Sequence, residues 1–123
     1  MTDPAGHVLA DNPYNAVVHL VSDPEATRTG PLSGVPVVVK DLIDVAGVPT
    51  RCGSAVLAEA PPAREDAAVV ALLRAAGAAV LAKSHTHEFG YGPTGDVAAG
   101  GPCRNPHDPQ RITGGSSSGS AAL

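Results

Sequence analysis

Two short runs of small apolar residues, separated by one amphipathic segment, constrain the fold of this chain more than any other feature. The runs cover residues 35–39 and 78–82, and residues 66–76 carry apolar side chains at a helical spacing. Short apolar runs of this kind are typical of strands that are buried on both faces of a sheet. A strand, a helix and a second strand in that order predict a right-handed crossover between parallel strands. We therefore expect an α/β fold with a partial mixed, mostly parallel sheet and flanking helices.

The middle segment has the ends expected of a helix. Asp66 lies where an N-cap residue would accept a backbone N–H, and Gly77 lies where glycine often ends a helix. Four apolar residues share one face at the helical spacing. These residues are Val69, Leu72, Leu73 and Ala76. The sequence therefore predicts a helix over residues 66–76.

A lysine closes each predicted strand, Lys40 after the first and Lys83 after the second. The carboxyl ends of parallel strands meet at one edge of the sheet, which is where open parallel sheets bind ligands. A lysine at a strand end is more often a solvated charge, so position alone makes neither lysine catalytic. Asp41 and Asp44 are likewise better explained as turn and capping carboxylates than as an acid–base pair.

Residues 114–120 read Gly-Gly-Ser-Ser-Ser-Gly-Ser and can bury almost no apolar surface. Their use must be conformational or chemical, because glycine supplies unusual backbone angles and serine supplies hydroxyl oxygens. A flexible linker is the common interpretation of such a run, and a phosphate-binding loop would need a lysine that is absent here. Turn residues at 103–109 precede the run, and Ala121, Ala122 and Leu123 follow it. This context favours an ordered loop that enters a helix.

Composition argues against several kinds of partner. The formal net charge is -4, and only 2% of the residues are aromatic. Without a basic stripe or aromatic platforms for bases, nucleic acid is not expected as a partner. No apolar run approaches the ~18 residues of a membrane span, and the first residues lack the features of a signal peptide. We therefore expect a cytoplasmic protein with neither nucleic acid nor a membrane as a partner.

The sequence offers little support for a metal or cofactor site. His85 and His87 are two residues apart, which suits opposite faces of a strand, and Glu88 is not spaced to complete a site with them. Cys52 and Cys103 form no Cys-x-x-Cys pair, which favours free thiols over a disulfide or a zinc site. We expect neither a metal nor a cofactor.

Residues 1–29 are predicted to form an N-terminal arm. Residues 1–15 contain prolines and asparagines without a hydrophobic period. The apolar run at residues 16–21 is compatible with a strand and with a helical turn, and residues 22–33 are polar enough for a surface connection.

Several segments of the chain, taken in order, resemble the amidase signature hydrolases. They lie at residues 34–36, 39–41, 53–54, 66–67, 73–78, 82–83, 88–89, 104–106 and 114–122. Each piece is short, and the set is specific because the pieces occur in the order of the family. The resemblance covers about residues 30–123. It identifies this region as the N-terminal part of an amidase signature domain, with an incomplete amidase signature fold.

The resemblance implies hydrolysis of a carbon–nitrogen bond in a small-molecule amide by a Ser–cisSer–Lys triad. By motif position the lysine is Lys40, and Ser116 is the serine that a cis peptide bond precedes. In the family, the neutral lysine acts as general base, through the cis-serine, on a nucleophilic serine. A strand-end lysine that is desolvated beneath a loop would have the lowered pKa that such a base needs. The other residues of the active-site loop would be Gly114, Gly115, Ser117 and Ser118.

The nucleophile of the family lies in a second Gly/Ser-rich motif, downstream of the first, together with the oxyanion-hole amides. This chain has no second motif of that kind. The resemblance therefore implies the N-terminal portion of an amidase chain, as a fragment or a truncated reading frame, that is inactive by itself.

The stretch at residues 83–89 differs from that of the A subunits of tRNA-dependent amidotransferases. This difference favours a stand-alone amidase. A fragment of such an amidotransferase, and a non-catalytic remnant or interaction module, are the alternatives. The sequence carries no signal for a particular amide or oligomeric state.

Overall fold

A three-stranded sheet forms the centre of the computed structural model, which describes residues 9, 11–21 and 29–123. The strands are β1 (Val17–Leu20), β2 (Pro36–Lys40) and β3 (Ala79–Ser84), in the spatial order β1-β3-β2. Strands β2 and β3 are parallel, and β1 is antiparallel to β3. The predicted α/β class with a mixed, mostly parallel sheet is confirmed.

Helix α1 (Ala68–Ala75) lies between β2 and β3 in the chain. The predicted parallel arrangement of the two apolar runs, connected through this helix, is therefore confirmed, and the two strands are direct neighbours. Val37 pairs with Val80 across the two strands, and Val39 pairs with Lys83. A single core of valines joins the helix, the sheet and the turn after β2. Its members are Val39, Val45, Val48, Val70 and Val80.

The C-terminal end of α1 is closed as the sequence predicts. Gly77 has a φ of +94°, and its N–H donates to the Arg74 carbonyl at 2.9 Å. The Ala78 N–H donates to the Leu73 carbonyl at 3.0 Å. This pair of bonds is a Schellman motif, which satisfies carbonyls that the last helical turn leaves without a partner. Glycine is favoured there because a positive φ costs it little.

The N-terminal end of α1 differs from the prediction. The N-cap is Ala67, whose side chain makes no capping hydrogen bond. The Asp66 Oδ1 instead accepts the Ala46 N–H at 2.8 Å, and Oδ2 lies 3.4 Å from the Arg74 Nε. The carboxylate thus joins the turn after β2 to the last turn of the helix. The prediction was wrong because these tertiary partners replace the local capping bond.

The apolar face predicted for α1 is wrong in part. Val70 is fully buried in the core, whereas Val69 is 50% exposed and Leu72 is 70% exposed. Leu73 is half-buried and Gly77 is buried. A helix of only 8 residues buries a narrow stripe, which runs through the buried Val70 and the half-buried Leu73 and continues to the buried Gly77 just beyond the helix. The buried stripe is therefore rotated by about one position from the predicted one.

The apolar run at residues 16–21, for which the sequence left two interpretations open, forms strand β1. Val17 pairs with Ser84 on β3, at the edge where β3 ends. Part of the predicted arm at residues 1–29 therefore belongs to the sheet. The remainder of the arm that the structure does not describe comprises residues 1–8, 10 and 22–28.

Helix α2 (Ser118–Ala122) begins within the Gly/Ser run, as the predicted loop entering a helix requires. Ala122 packs with Ala16 and Cys103 in a small second core. Tyr14 covers these residues. Among the described residues, no helix is long and apolar enough to cross a membrane.

Candidate active site

Lys40 and Ser116 lie in hydrogen-bond contact. Lys40 is the last residue of β2, and its Nζ is 2.5 Å from the Ser116 Oγ. A cis peptide bond joins Gly115 to Ser116. Both contacting side chains are half-buried, so solvent reaches the contact. The structure thus brings together the two residues that motif position assigns to catalysis.

Burial changes the electrostatics of Lys40. Desolvation lowers the pKa of the Lys40 amine from its ordinary value. A lowered pKa raises the fraction of neutral amine at a given pH, and a neutral amine has a free lone pair. An amine of this kind beside a hydroxyl can take its proton, which is the geometry of a general base.

Two backbone hydrogen bonds hold the Gly/Ser run against the end of β3. The His87 N–H donates to the Ser116 carbonyl at 3.0 Å, and the Gly119 N–H donates to the His85 carbonyl at 2.9 Å. Residues 85–87 follow β3 directly and act as its extension. They therefore fix the position of Ser116 relative to the strand edge.

The two glycines before Ser116 are needed for different reasons. A Cβ on Gly115 would lie 2.9 Å from the Gly95 nitrogen and 3.1 Å from the Gly92 carbonyl oxygen. Gly114 has open space around it but a φ of +85°, which side chains rarely adopt. Close packing therefore explains Gly115, and backbone conformation explains Gly114.

The remaining two serines of the predicted active-site loop have different environments. Ser117 is exposed. Ser118 is fully buried, and its Oγ lies 2.7 Å from the His85 Nδ1. Ser118 therefore bonds to the protein interior and not to the Lys40 amine. Sequence reasoning considered His85 only as a metal ligand and missed this contact, because no spacing pattern links residue 85 to residue 118.

Lys83 lies at the same sheet edge as Lys40 but on the opposite face. Its fully buried Nζ is 2.7 Å from the Asp41 Oδ1 and 3.0 Å from the Thr50 Oγ1. The Asp41 Oδ2 accepts the Arg51 N–H at 3.2 Å. Lys83 is therefore not the solvated charge that its position suggested, and Asp41 is more than a turn carboxylate. The two residues form a buried ion pair behind the candidate site.

A cavity of about 570 Å³ adjoins the Asp41 side of the sheet. Its walls include Val17, His19, Asp41, Arg51 and Ser54. Lys40 and Ser116 do not line it. The candidate chemistry therefore lies outside this cavity.

The other candidate ligands have separate roles. The His87 Nδ1 accepts the Gly95 N–H at 3.2 Å. Cys52 and Cys103 are free thiols, and desolvation raises the pKa of each. In residues 9, 11–21 and 29–123, no group of three His, Cys, Asp or Glu side chains could hold a metal ion.

Gly119→Ala is expected to displace α2 from the end of β3. A Cβ at this position would lie 2.3 Å from both the Ala16 carbonyl oxygen and the His85 nitrogen. Overpacking of this kind typically costs about 1–3 kcal/mol. Urea denaturation should report a loss of that size in the free energy of unfolding. Gly100→Ala, where a Cβ meets nothing within 4 Å, is the matched control, and equal losses in both variants would contradict the close packing.

A family model described as Amidase matches residues 13–123. The AtzE subunit of 1-carboxybiuret hydrolase from Pseudomonas sp. (strain ADP) is 51% identical to this chain over 92 residues. The alignment covers 75% of this chain and 20% of that protein. The A subunit of glutamyl-tRNA(Gln) amidotransferase from Methanospirillum hungatei JF-1 is 52% identical over 101 residues, 80% of this chain and 23% of that protein. Fatty acid amide hydrolase of Arabidopsis thaliana is 50% identical over 92 residues, 75% of this chain and 15% of that protein. The chain thus spans about a fifth of the length of the curated relatives it matches.

Solved structures show the same likeness in three dimensions. A structure of 6-aminohexanoate cyclic dimer hydrolase superposes with a TM-score of 0.88 at 36% identity, over 96% of this chain and 26% of that chain. The A subunit of glutamyl-tRNA(Gln) amidotransferase from Thermotoga maritima superposes with a TM-score of 0.83 at 37% identity, over 91% of this chain and 25% of that chain. The likeness therefore covers nearly all of this chain and about a quarter of each neighbour.

Proposed function

Because the chain belongs to the amidase family, we propose that Lys40 and Ser116 are the base and the relay serine of a site that hydrolyses small-molecule amides. The observation that carries this proposal is the 2.5 Å contact between the Lys40 Nζ and the Ser116 Oγ. The lowered pKa of Lys40, which follows from its burial, supports it.

In the proposed reaction, the neutral Lys40 amine takes the proton of the Ser116 hydroxyl. The Ser116 oxygen takes the proton of a nucleophilic serine, whose oxygen then forms a bond to the amide carbonyl carbon. As the carbon–nitrogen bond breaks, the proton returns through Ser116 to the leaving nitrogen. Water, activated along the same path, hydrolyses the resulting ester. Lys40 and Ser116 end in their starting protonation states.

The nucleophilic serine is proposed to come from outside these residues. Two serines of the Gly/Ser run already have other partners in the protein. The Ser118 Oγ lies 2.7 Å from the His85 Nδ1, and the Ser120 Oγ lies 3.0 Å from the Ser84 Oγ. Because the 123 residues contain no second Gly/Ser-rich motif, which holds the nucleophile in the family, they are proposed to be inactive by themselves.

The relatives are named for different substrates, and what these substrates share is the bond that is hydrolysed. The proposed substrate class is therefore defined by its amide bond alone. We place this activity in the cytoplasm, without nucleic acid or a membrane as a partner. A second candidate is a role as part of a glutamyl-tRNA(Gln) amidotransferase. The 52% identity to the A subunit of such an enzyme favours it, whereas the stretch at residues 83–89 favours the stand-alone amidase.

A chimera tests the proposed function. In it, the aligned segment of this chain replaces the matching 92 residues of Arabidopsis thaliana fatty acid amide hydrolase. We expect the chimera to release fatty acid from a fatty acid amide above the buffer rate, and the present chain alone to release none.

Circular dichroism and size-exclusion chromatography establish whether the chimera is folded. A folded chimera without hydrolysis would contradict the proposal and favour a non-catalytic module. Turnover by the present chain alone, lost in Lys40→Ala, would place the nucleophile within these residues instead.

A further inference from the structure

The ring of His85 is buried and has a hydrogen-bond partner at each nitrogen. His85 is 2% exposed and directly follows β3. Its Nδ1 lies 2.7 Å from the Ser118 Oγ, and its Nε2 lies 2.9 Å from the Gly101 carbonyl oxygen. The ring therefore connects the segment around Gly101 with the first residue of α2. The proposed proton path does not use this ring.

These partners determine which nitrogen of the ring carries the proton. A carbonyl oxygen only accepts hydrogen bonds, so the Nε2 that faces Gly101 must carry the proton. Desolvation lowers the pKa of His85, against the opposite effect of the Gly101 carbonyl, and so favours the neutral ring. In a neutral ring protonated at Nε2, the Nδ1 has a lone pair and accepts. The Ser118 hydroxyl is therefore the donor.

The segment that carries Ser116 contacts residues 85–87 through side chain and backbone together. Ser118 begins α2, two residues after Ser116, and is fully buried. The backbone bonds from Gly119 to His85 and from His87 to Ser116 lie on either side of the Ser118 side chain. The bond between Ser118 and the His85 ring thus adds a side-chain contact to the two backbone bonds that hold this segment against residues 85–87.

The far end of the ring is also held firmly. The Asn15 Nδ2 donates to the carbonyls of Gly100 at 3.0 Å, Gly101 at 3.3 Å and Pro102 at 3.2 Å. The Gly101 carbonyl that receives the His85 Nε2–H is therefore fixed by a second donor from another segment. Because the ring bonds to both segments, it fixes the start of α2 relative to residues 100–102.

We propose that His85 is a positioning residue, whose neutral imidazole accepts the Ser118 hydroxyl and thereby sets the Ser116 Oγ at bonding distance from Lys40. Without this acceptor, the His85 carbonyl, at 3.4 Å, is the one partner that the described residues offer the buried Ser118 hydroxyl. A bond of that length is weak, so the start of α2 would shift and move Ser116 with it. Only the effect on rate depends on the proposed function, since the effect on the loop follows from the contacts alone.

Two substitutions of His85 separate its two contacts. His85→Asn places a carbonyl oxygen near the position of Nδ1 and so retains an acceptor for Ser118. His85→Gln places an amide N–H near the position of Nε2, which retains the donor to Gly101 but loses that acceptor. Ser118→Ala removes the donor and leaves the ring intact. His107→Gln is the matched control, because His107 is exposed.

The loop is tested first, in the present chain and without any substrate. Nitrogen-15 spectra of the His85 ring should show a protonated Nε2 and an unprotonated Nδ1. Amide exchange at His87 and Gly119 should become about five- to tenfold faster in His85→Gln and in Ser118→Ala, as expected for the loss of one hydrogen bond. His85→Asn should stay within about threefold of the wild type. A proton on Nδ1, or unchanged exchange in Ser118→Ala, would overturn the proposal.

The rate is tested second, in the chimera with fatty acid amide hydrolase. His85→Gln and Ser118→Ala should each lower kcat about tenfold with little change in KM, and the double variant should lose no more than either one. His85→Asn should restore most of kcat. A purely structural role would instead make kcat follow the fraction of folded protein in all variants, which would contradict the proposal. If the chimera is inactive, the proposed function fails, while the exchange measurement still decides the role of His85.

Discussion

Lys40→Arg is expected to inactivate the chimera as completely as Lys40→Ala, each lowering kcat by about 10²–10⁴-fold, the usual contribution of a positioned acid or base. A guanidinium can still donate to the Ser116 Oγ, but it stays protonated throughout the accessible pH range and cannot take a proton. In the wild type, the rate should rise with pH as the Lys40 amine becomes neutral. Because burial lowers the pKa of Lys40, this rise should occur below the ordinary range of lysine, and both variants should lack it.

A pH–rate profile of kcat for the three proteins provides the measurement. Arg64→Ala is the control for the two Lys40 variants, because it also removes a cation but from an exposed position. It should leave kcat unchanged. If Lys40→Arg kept more than about a tenth of the wild-type rate, Lys40 would act as a hydrogen-bond donor to Ser116 and not as the base.

Lys83→Met is expected to lower the free energy of unfolding by about 3–5 kcal/mol, the typical cost of breaking a buried ion pair. Methionine keeps much of the side-chain volume, so the loss reports mainly on charge. The Asp41 carboxylate would remain 3% exposed without the amine that lies 2.7 Å from it. Small domains have a free energy of unfolding of about 5–15 kcal/mol in total. Urea denaturation should therefore show either a much lower midpoint or a protein that is already unfolded without urea.

The exposed ion pair between Arg111 and Asp108, at 3.0 Å, provides the control. Its side chains are 77% and 45% exposed, and Arg111→Ala should cost less than about 1 kcal/mol. Combining Lys83→Met with Asp41→Leu should recover part of the loss, because no buried charge then lacks a partner. Equal costs for Lys83→Met and Arg111→Ala would show that the pair at Lys83 is not effectively buried.

The crossover from β2 through α1 to β3 could be predicted because each element carries its own local signal. The apolar runs are short enough for buried strands, and Gly77 marks the end of the helix with the positive φ that it adopts. The N-terminal boundary of α1 could not be predicted, because Asp66 bonds to Ala46, which is distant in sequence. Tertiary partners, not local propensity, decided that boundary.

Strand β1 illustrates a second limit of local patterns. Its few apolar residues fit a strand or a helical turn, and pairing with β3 decides between them. That pairing joins Val17 to Ser84, so no window of local sequence contains it. The buried stripe of α1 has the same character, since Val70 is buried and Leu72 is exposed only because of where the strands lie.

In the candidate site, motif position was sufficient to pair Lys40 with Ser116, and the structure places them in contact. Sequence position was not sufficient for Lys83. Its place at the same sheet edge as Lys40 suggested a solvated amine, whereas the amine is buried. The difference lies in the face of the sheet, which depends on strand register. The bond between His85 and Ser118 depends on how the chain folds back after β3, for which no sequence pattern exists.

Lys40 and Asp41 are consecutive residues that serve opposite faces of the sheet, one contacting Ser116 and the other Lys83. Side chains alternate along a strand, so a shift of one residue exchanges the two faces. Deleting a single residue from β2 would therefore turn the amine toward the valine core and the carboxylate toward the Gly/Ser loop, removing base and ion pair together. In a library of β2 variants, conservative replacements at Val37 should survive selection for a folded protein, whereas single deletions should not. The length of this strand is thus more strictly constrained than its composition.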